Sequence, residues 1–274
     1  MKTRKAFVAG QFYARTAQEL RRQLQECYEG RPPVVNDKGP RKVIAAIVPH
    51  AGYLYSGRVA ASLYRRLADD GPFQTAILIG PNHHGLGAPV ALMIEGEWET
   101  PLGRVAIDTD LARKLCQGGL TADDSSHAYE HSIEVQLPFL QSLDPKVRIV
   151  PISMLAQGLE TARKVGQILS QAMGEGHIIL ATTDLTHYEP HQAAVAKDRQ
   201  AIEAIVALDE EKLYQKVREV GISMCGYGPV TAAMVAARER GAKEAEVVAY
   251  STSGEATGDY SAVVGYGALV IKRP

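Results

Sequence analysis

Short β-branched apolar runs alternate with helix-length amphipathic segments along most of this 274-residue chain, and that alternation is the strongest constraint on its fold. A strand followed by a helix and a second strand builds a mostly parallel sheet, with helices covering both faces. The best strand runs are residues 43–48, 75–79, 147–152, 178–182 and 247–251, with 262–271 as a further C-terminal strand or pair. Helical patterns lie between them at 57–68, 109–117, 159–173, 192–208 and 230–240, and another helix precedes the first strand. The expected fold class is therefore α/β, a single three-layer α/β/α domain over residues 1–274 with a mostly parallel central sheet. Residues 89–107 interrupt the pattern with two alternating strands around Gly96-Glu97 and Pro101-Leu102-Gly103, which predicts an antiparallel insertion off the main sheet. The stretch 30–40, rich in Pro, Gly, Asn and Asp, is expected to be a loop inside the domain.

Composition narrows the function classes. With 46% hydrophobic and 22% charged residues the chain can bury a sizeable core, which excludes a disordered or collagen-like protein. Thirty basic against 31 acidic residues leave a net charge of -1, so no global field favours nucleic acid or an anionic membrane as partner. Three dispersed cysteines, Cys27, Cys116 and Cys225, cannot make a disulfide framework and point to a reducing compartment. The start at residues 1–5 is basic, but Gly10 and Gln11 cut short the apolar stretch behind it, and no apolar run approaches the length of a membrane span. A cytoplasmic protein is expected.

Ligands of a parallel α/β sheet bind beyond the carboxyl ends of its strands, so the residues after each apolar run are the place to look for chemistry. Pro49-His50-Ala51-Gly52-Tyr53 follows the first run and Gly80-Pro81-Asn82-His83-His84-Gly85 the second. Thr183-Asp184-Leu185-Thr186-His187 follows the run at 178–182, bringing an acid and another imidazole to the same edge. A lone loop histidine is more often a helix cap or a partner of a backbone carbonyl. Three separate strand exits shift the balance toward a metal site, because neutral imidazole is the commonest ligand for zinc, iron and copper. The segment 128–138 reads as helical, placing Glu130 and Glu134 on one face with His131 beside Glu134, either as a base or supporting carboxylate or as an ordinary salt-laced helix start. His127 is a weaker candidate. Cys225 lies in Met224-Cys225-Gly226-Tyr227-Gly228-Pro229, where a helix N-terminus would lower the thiol pKa, so it reads as a metal thiolate, a nucleophile or a small buried apolar group. No phosphate loop or dinucleotide fingerprint is present, and a nucleotide cofactor is not expected. Ser251-Thr252-Ser253-Gly254 reads as an anion nest or a plain strand-exit turn.

Taken together, these motifs in this order resemble the Memo family, including its AmmeMemoRadiSam system protein B type. The resemblance extends from Ala9-Gly10-Gln11-Phe12-Tyr13 to Gly265-Tyr266-Gly267-Ala268-Leu269. It implies a fold like the class III extradiol ring-cleaving dioxygenases, with a metal pocket at the sheet edge. It also implies metal ligands at His50, His83 and Cys225, with Asp184 and His187 as further pocket residues. The animal relative is known as a cell-motility effector that binds a receptor phosphopeptide and as a copper- or iron-binding redox protein. Bacterial and archaeal relatives are grouped with a radical-SAM protein and a third small partner. Two departures stand out: Phe12 replaces a Trp of the animal relatives, and Tyr227 replaces a basic residue. A Cys also stands where the dioxygenases use a carboxylate, a softer ligand that favours copper, zinc or a redox-labile iron.

Three function classes follow. In the leading one, a metal-dependent redox protein of dioxygenase type, His50, His83 and Cys225 hold iron or copper, with zinc as the other candidate. His187 or His131 then moves protons and Asp184 orients an imidazole. In the second, a metal-free hydrolase or transferase, Cys225 is the nucleophile and His50 or His187 its base. In the third, a former enzyme pocket serves as a peptide- or phosphopeptide-binding scaffold.

Overall fold

The computed structural model describes residues 2–36 and 39–274; Met1 of the basic start and Asp37 and Lys38 of the 30–40 loop lie outside the described residues. The chain begins with β1 (Thr3–Arg4), α1 (Ala17–Cys27), β2 (Val43–Val48), α2 (Tyr53–Asp70), β3 (Thr75–Pro81), β4 (Val90–Leu92), β5 (Glu97–Thr100) and β6 (Gly103–Ala106). Next come α3 (Thr109–Gln117), β7 (Thr121–Ala122), α4 (Leu137–Leu143), β8 (Arg148–Met154), α5 (Leu159–Ala172), β9 (His177–Thr182) and β10 (His187–Glu189). It finishes with α6 (His191–Val206), α7 (Glu210–Glu219), α8 (Tyr227–Glu239), β11 (Glu244–Thr252), α9 (Gly254–Thr257) and β12 (Val263–Lys272).

Every residue of β2 and β3 is buried, which explains why these strands read as continuous apolar runs without alternation. The parallel heart of the main sheet is β2-β9-β3-β8, with Ala45, Ile179, Ile77 and Val150 paired in one row across it. On one side β12 pairs antiparallel with β2 and carries β10 and β11; on the other, β4 pairs antiparallel with β8 and parallel with β7. The parallel character is thus concentrated at the centre, where both faces are covered, and antiparallel strands close the flanks. Helices α1, α2 and α4 form one layer, while α5, α7 and α8 pack on one another to form the other. Gly166 lets α5 and α8 approach closely: a Cβ there would meet the Ala232 carbonyl oxygen at 2.7 Å. The buried apolar residues of both layers form one contiguous cluster.

The insertion expected over 89–107 is narrower in the structure: Val90–Leu92 joins the main sheet as β4, and the part off it begins at β5. β5 and β6 make a hairpin, and β1 adds to β5 in parallel to give a separate three-stranded sheet. The reading of 128–138 as one helix is corrected. Residues 128–133 are irregular, a short 3-10 turn spans Glu134–Gln136, and α4 begins only at Leu137 with Pro138 in its first turn. Glu130 is the local cause, because its carboxylate accepts the Ser132 backbone N–H at 2.9 Å and competes with helical bonding. No helix among the described residues is long and apolar enough to cross a membrane.

Candidate metal centre

Because β2, β3 and β9 run parallel and end at one edge, the segments after them converge. Val48 at the end of β2 lies opposite Thr182 at the end of β9, so His50 and Thr182 meet just past the sheet. The His50 Nδ1 and Thr182 Oγ1 are 2.9 Å apart, and the His50 backbone N–H donates to Asp184 Oδ1 at 2.8 Å. After β3, His83 is held by Glu130: Oε1 accepts from Nδ1 at 2.9 Å and Oε2 from the His83 backbone N–H at 2.7 Å. His131 follows Glu130 directly, with its Nδ1 3.5 Å from Glu130 Oε1 and its ring stacked on that of His83 at 4.7 Å between centroids. The His50 ring stands edge-on to both, 5.2 Å from His83 and 5.4 Å from His131.

His50, His83 and His131 each offer a ligand nitrogen, and these atoms all lie within 4.8 Å of one another. An ionised carboxylate only accepts hydrogen bonds, so Glu130 fixes a proton on His83 Nδ1, and Nε2 is the nitrogen left to hold a metal. Burial, aided by repulsion from His131 and His83, holds the His50 imidazole well below its ordinary pKa. Burial also brings His131 down to about 4, against the pull of Glu130 and with repulsion from His83. Burial alone would push the Glu130 carboxyl up, but its bonds and charge interaction with His83 outweigh that and hold it below the usual carboxylate range. At neutral pH His50 and His131 are therefore neutral imidazoles near the Glu130 charge, the protonation state a metal requires of imidazole ligands.

Cys225 reaches the same place from the loop before α8. Its Sγ lies 3.2 Å from His50 Nε2 and accepts the Asp184 backbone N–H at 3.2 Å. Gly226 makes this approach possible, since a Cβ there would meet the Thr182 carbonyl oxygen at 2.3 Å. The expected lowering of the thiol pKa by the helix end is corrected: burial, reinforced by Asp184, pushes Cys225 up to about 12. Asp184 is itself raised to about 6 by burial. It holds the His50 backbone, while Thr182, a residue the sequence reading passed over, holds the ring.

His187 sits at the rim, its backbone N–H donating to Ser223 Oγ at 2.7 Å and its Nδ1 2.9 Å from the Ser223 carbonyl oxygen. Glu134 points away from the cluster. It is fully buried against Arg4 and accepts from Tyr13 Oη at 2.7 Å and the Val8 N–H at 2.9 Å, so it ties the N-terminal segment down. The same-face pairing with Glu130 therefore does not occur. His127 is fully buried against Trp98, 5.6 Å between ring centroids, and burial brings it down to about 4. Ser253 Oγ accepts the Val264 N–H at 3.0 Å, and the 251–254 segment runs from the end of β11 into α9.

Fold and site define a three-layer α/β/α protein with a histidine cluster at the carboxyl edge of its parallel strands. The Memo-like protein family model matches residues 4–270, and the chain belongs to the Memo family. It is 46% identical to a MEMO1 family protein of Methanopyrus kandleri, over 97% of this chain and 98% of that one. A MEMO1 family protein of Ignicoccus hospitalis is 44% identical, with both chains covered completely. An uncharacterized protein of Escherichia coli K12 shares the fold, with a TM-score of 0.60 at 12% identity over 84% of this chain and 100% of that one.

Proposed function

We propose that this Memo-family chain is a metal-dependent redox protein of dioxygenase type, with its metal held by His50, His83 and His131 and with Cys225 as the adjoining thiol donor. The observation that carries the reading is the convergence of three imidazole nitrogens within 4.8 Å, with His83 held in its ligating tautomer by a buried carboxylate. The donor set fits a first-row transition metal: neutral imidazoles suit iron, copper and zinc, and a neighbouring thiol favours the softer and redox-active members. When bound, such a metal would supply one-electron chemistry or polarise an oxygen-containing substrate.

The protein groups have separate tasks. Glu130 fixes the His83 ring, Thr182 fixes that of His50, and Asp184 anchors the backbone between His50 and Cys225. His187, whose Nδ1 lies against the Ser223 carbonyl, would exchange a proton with a substrate through Nε2. The metal-free thiol reading has one contact in its favour, Cys225 Sγ to His50 Nε2 at 3.2 Å. The opposed shifts argue against it, since a thiol raised to about 12 beside an imidazole held well below its ordinary pKa leaves both groups neutral.

Elemental mass spectrometry on untagged protein purified without oxygen tests the reading. Near-stoichiometric iron or copper is expected; zinc alone would overturn the redox assignment, and no metal would overturn the whole reading.

A further inference from the structure

A second set of donors lies beside the centre. His84, Glu130 and His131 each offer a ligand atom, and these three atoms also lie within 4.8 Å of one another. His84 is the next residue after His83 and is exposed as His83 is, but its ring nitrogens carry no hydrogen bond among the described residues, whereas the His83 Nδ1 is bonded to Glu130. Its position is nevertheless defined. Asn82 Oδ1 accepts the backbone N–H of His84 at 3.1 Å and of Gly85 at 2.9 Å, and the ring makes edge contacts with Phe7 and Tyr129 at 6.4 and 6.3 Å between centroids. An exposed imidazole is thus held in place without spending either nitrogen.

Glu130 is the charged member and is fully buried. Its Oε1 serves the His83 ring and the Ser132 N–H, whereas Oε2 accepts a single bond, from the His83 backbone, and keeps accepting capacity. His131 belongs to both donor sets. Two imidazoles and a carboxylate suit divalent iron, manganese, cobalt or zinc.

We propose that His84, Glu130 and His131 form an outer divalent-cation site that loads the inner centre. The proposal rests on the inner centre described above. His84 meets the hydrated ion at the surface, and the Glu130 charge draws it inward. The ion then exchanges His84 and Glu130 for His50 and His83 at His131, the residue common to both sets. Ligands are replaced one at a time, so the ion is never stripped of all of them at once.

Anaerobic mixing of apo protein with Co(II) alone, followed by its visible absorption, tests this. In His84→Ala the inner site should fill to the same final level as in wild type, but about 10-fold more slowly or worse, the scale on which outer partners of metal ligands act. In His50→Ala one weakly held Co(II) should remain at the outer site, and adding His84→Ala should weaken it a further 10-fold or more. Unchanged loading in His84→Ala, with equal Co(II) affinity in His50→Ala and the double variant, would overturn the outer site. Tight wild-type binding that survives His50→Ala would overturn the inner centre instead, and the His84 step would still judge the outer one.

Discussion

Glu130 grips His83 twice, Oε1 on the ring Nδ1 at 2.9 Å and Oε2 on the backbone N–H at 2.7 Å. One buried carboxylate therefore fixes a proton on Nδ1, the ring orientation and the main-chain position of the candidate ligand His83. Glu130→Gln keeps the size but removes the charge and turns an amide N–H₂ toward N–H donors. Metal affinity should fall about 10- to 100-fold, read by competition with a chelator of known affinity. Unchanged affinity would mean that His83 is not a ligand.

The thiol gives a pH signature. Burial holds Cys225 up to about 12 in the metal-free protein, so it carries its proton at pH 7–8, whereas His50 and His131 are already deprotonated there. If Cys225 ligates as a thiolate, binding releases about one proton per metal and affinity rises about 10-fold per pH unit across that range. Calorimetry in two buffers of different ionisation enthalpy measures the release. Cys225→Ser should abolish it and flatten the pH dependence; release that persists in the variant would assign the proton elsewhere.

Close packing at Gly226 supports the thiol position. An added methyl would meet the Thr182 carbonyl at 2.3 Å and the Thr183 Cβ at 2.8 Å, neither of which is the end of a flexible side chain. Gly226→Ala should cost about 1–3 kcal/mol of stability and also weaken metal binding, because Thr182 and Cys225 both flank His50. Denaturant unfolding and chelator competition on the same sample check both effects.

Away from the histidine cluster, Arg4 and Glu134 form a buried pair whose side chains are 7% and 0% exposed. Arg4 also bonds the carbonyls of His127 and Glu130 at 2.7 and 2.8 Å and lies over the Trp98 ring. Removing one partner leaves the other buried and uncompensated, so Arg4→Met should lower stability by about 3–5 kcal/mol. Since Arg4 supports the backbone that carries Glu130, metal affinity should fall with it. A midpoint of unfolding unchanged from wild type would contradict the reading.

The parts of this molecule legible in the sequence are those where one local rule dominates. Buried parallel strands announce themselves as continuous apolar runs, so the run 43–48 coincides with β2, and the pattern at 109–117 coincides with α3 because Asp108 caps its amphipathic stripe. Placing the histidines at strand exits needed only the rule that parallel strands end at a common edge. The difficulties arose where tertiary contacts override local pattern. Segment 128–138 has helical spacing, yet Glu130 turns back on its own backbone and on His83, which no periodicity reveals. Helix α7 escaped because its buried apolar stripe is only Leu213 and Tyr214; its signal was the Asp209 cap, whose side chain accepts the Lys212 N–H. Strand β11 read like its parallel neighbours but pairs antiparallel with β12, a choice set by the chain return after α9. His131 was visible as a proton carrier, but its place in the set of three imidazoles depends on the irregular backbone around it.

One metal is proposed to sit among His50, His83 and His131. An anomalous difference map from crystals of metal-loaded protein, with data collected on both sides of the absorption edge of the metal, locates it directly. A single dominant peak is expected within bonding distance of a nitrogen of each of the three rings, lost in His83→Ala. A peak that contacts none of these rings, or one that survives the substitution, would contradict it.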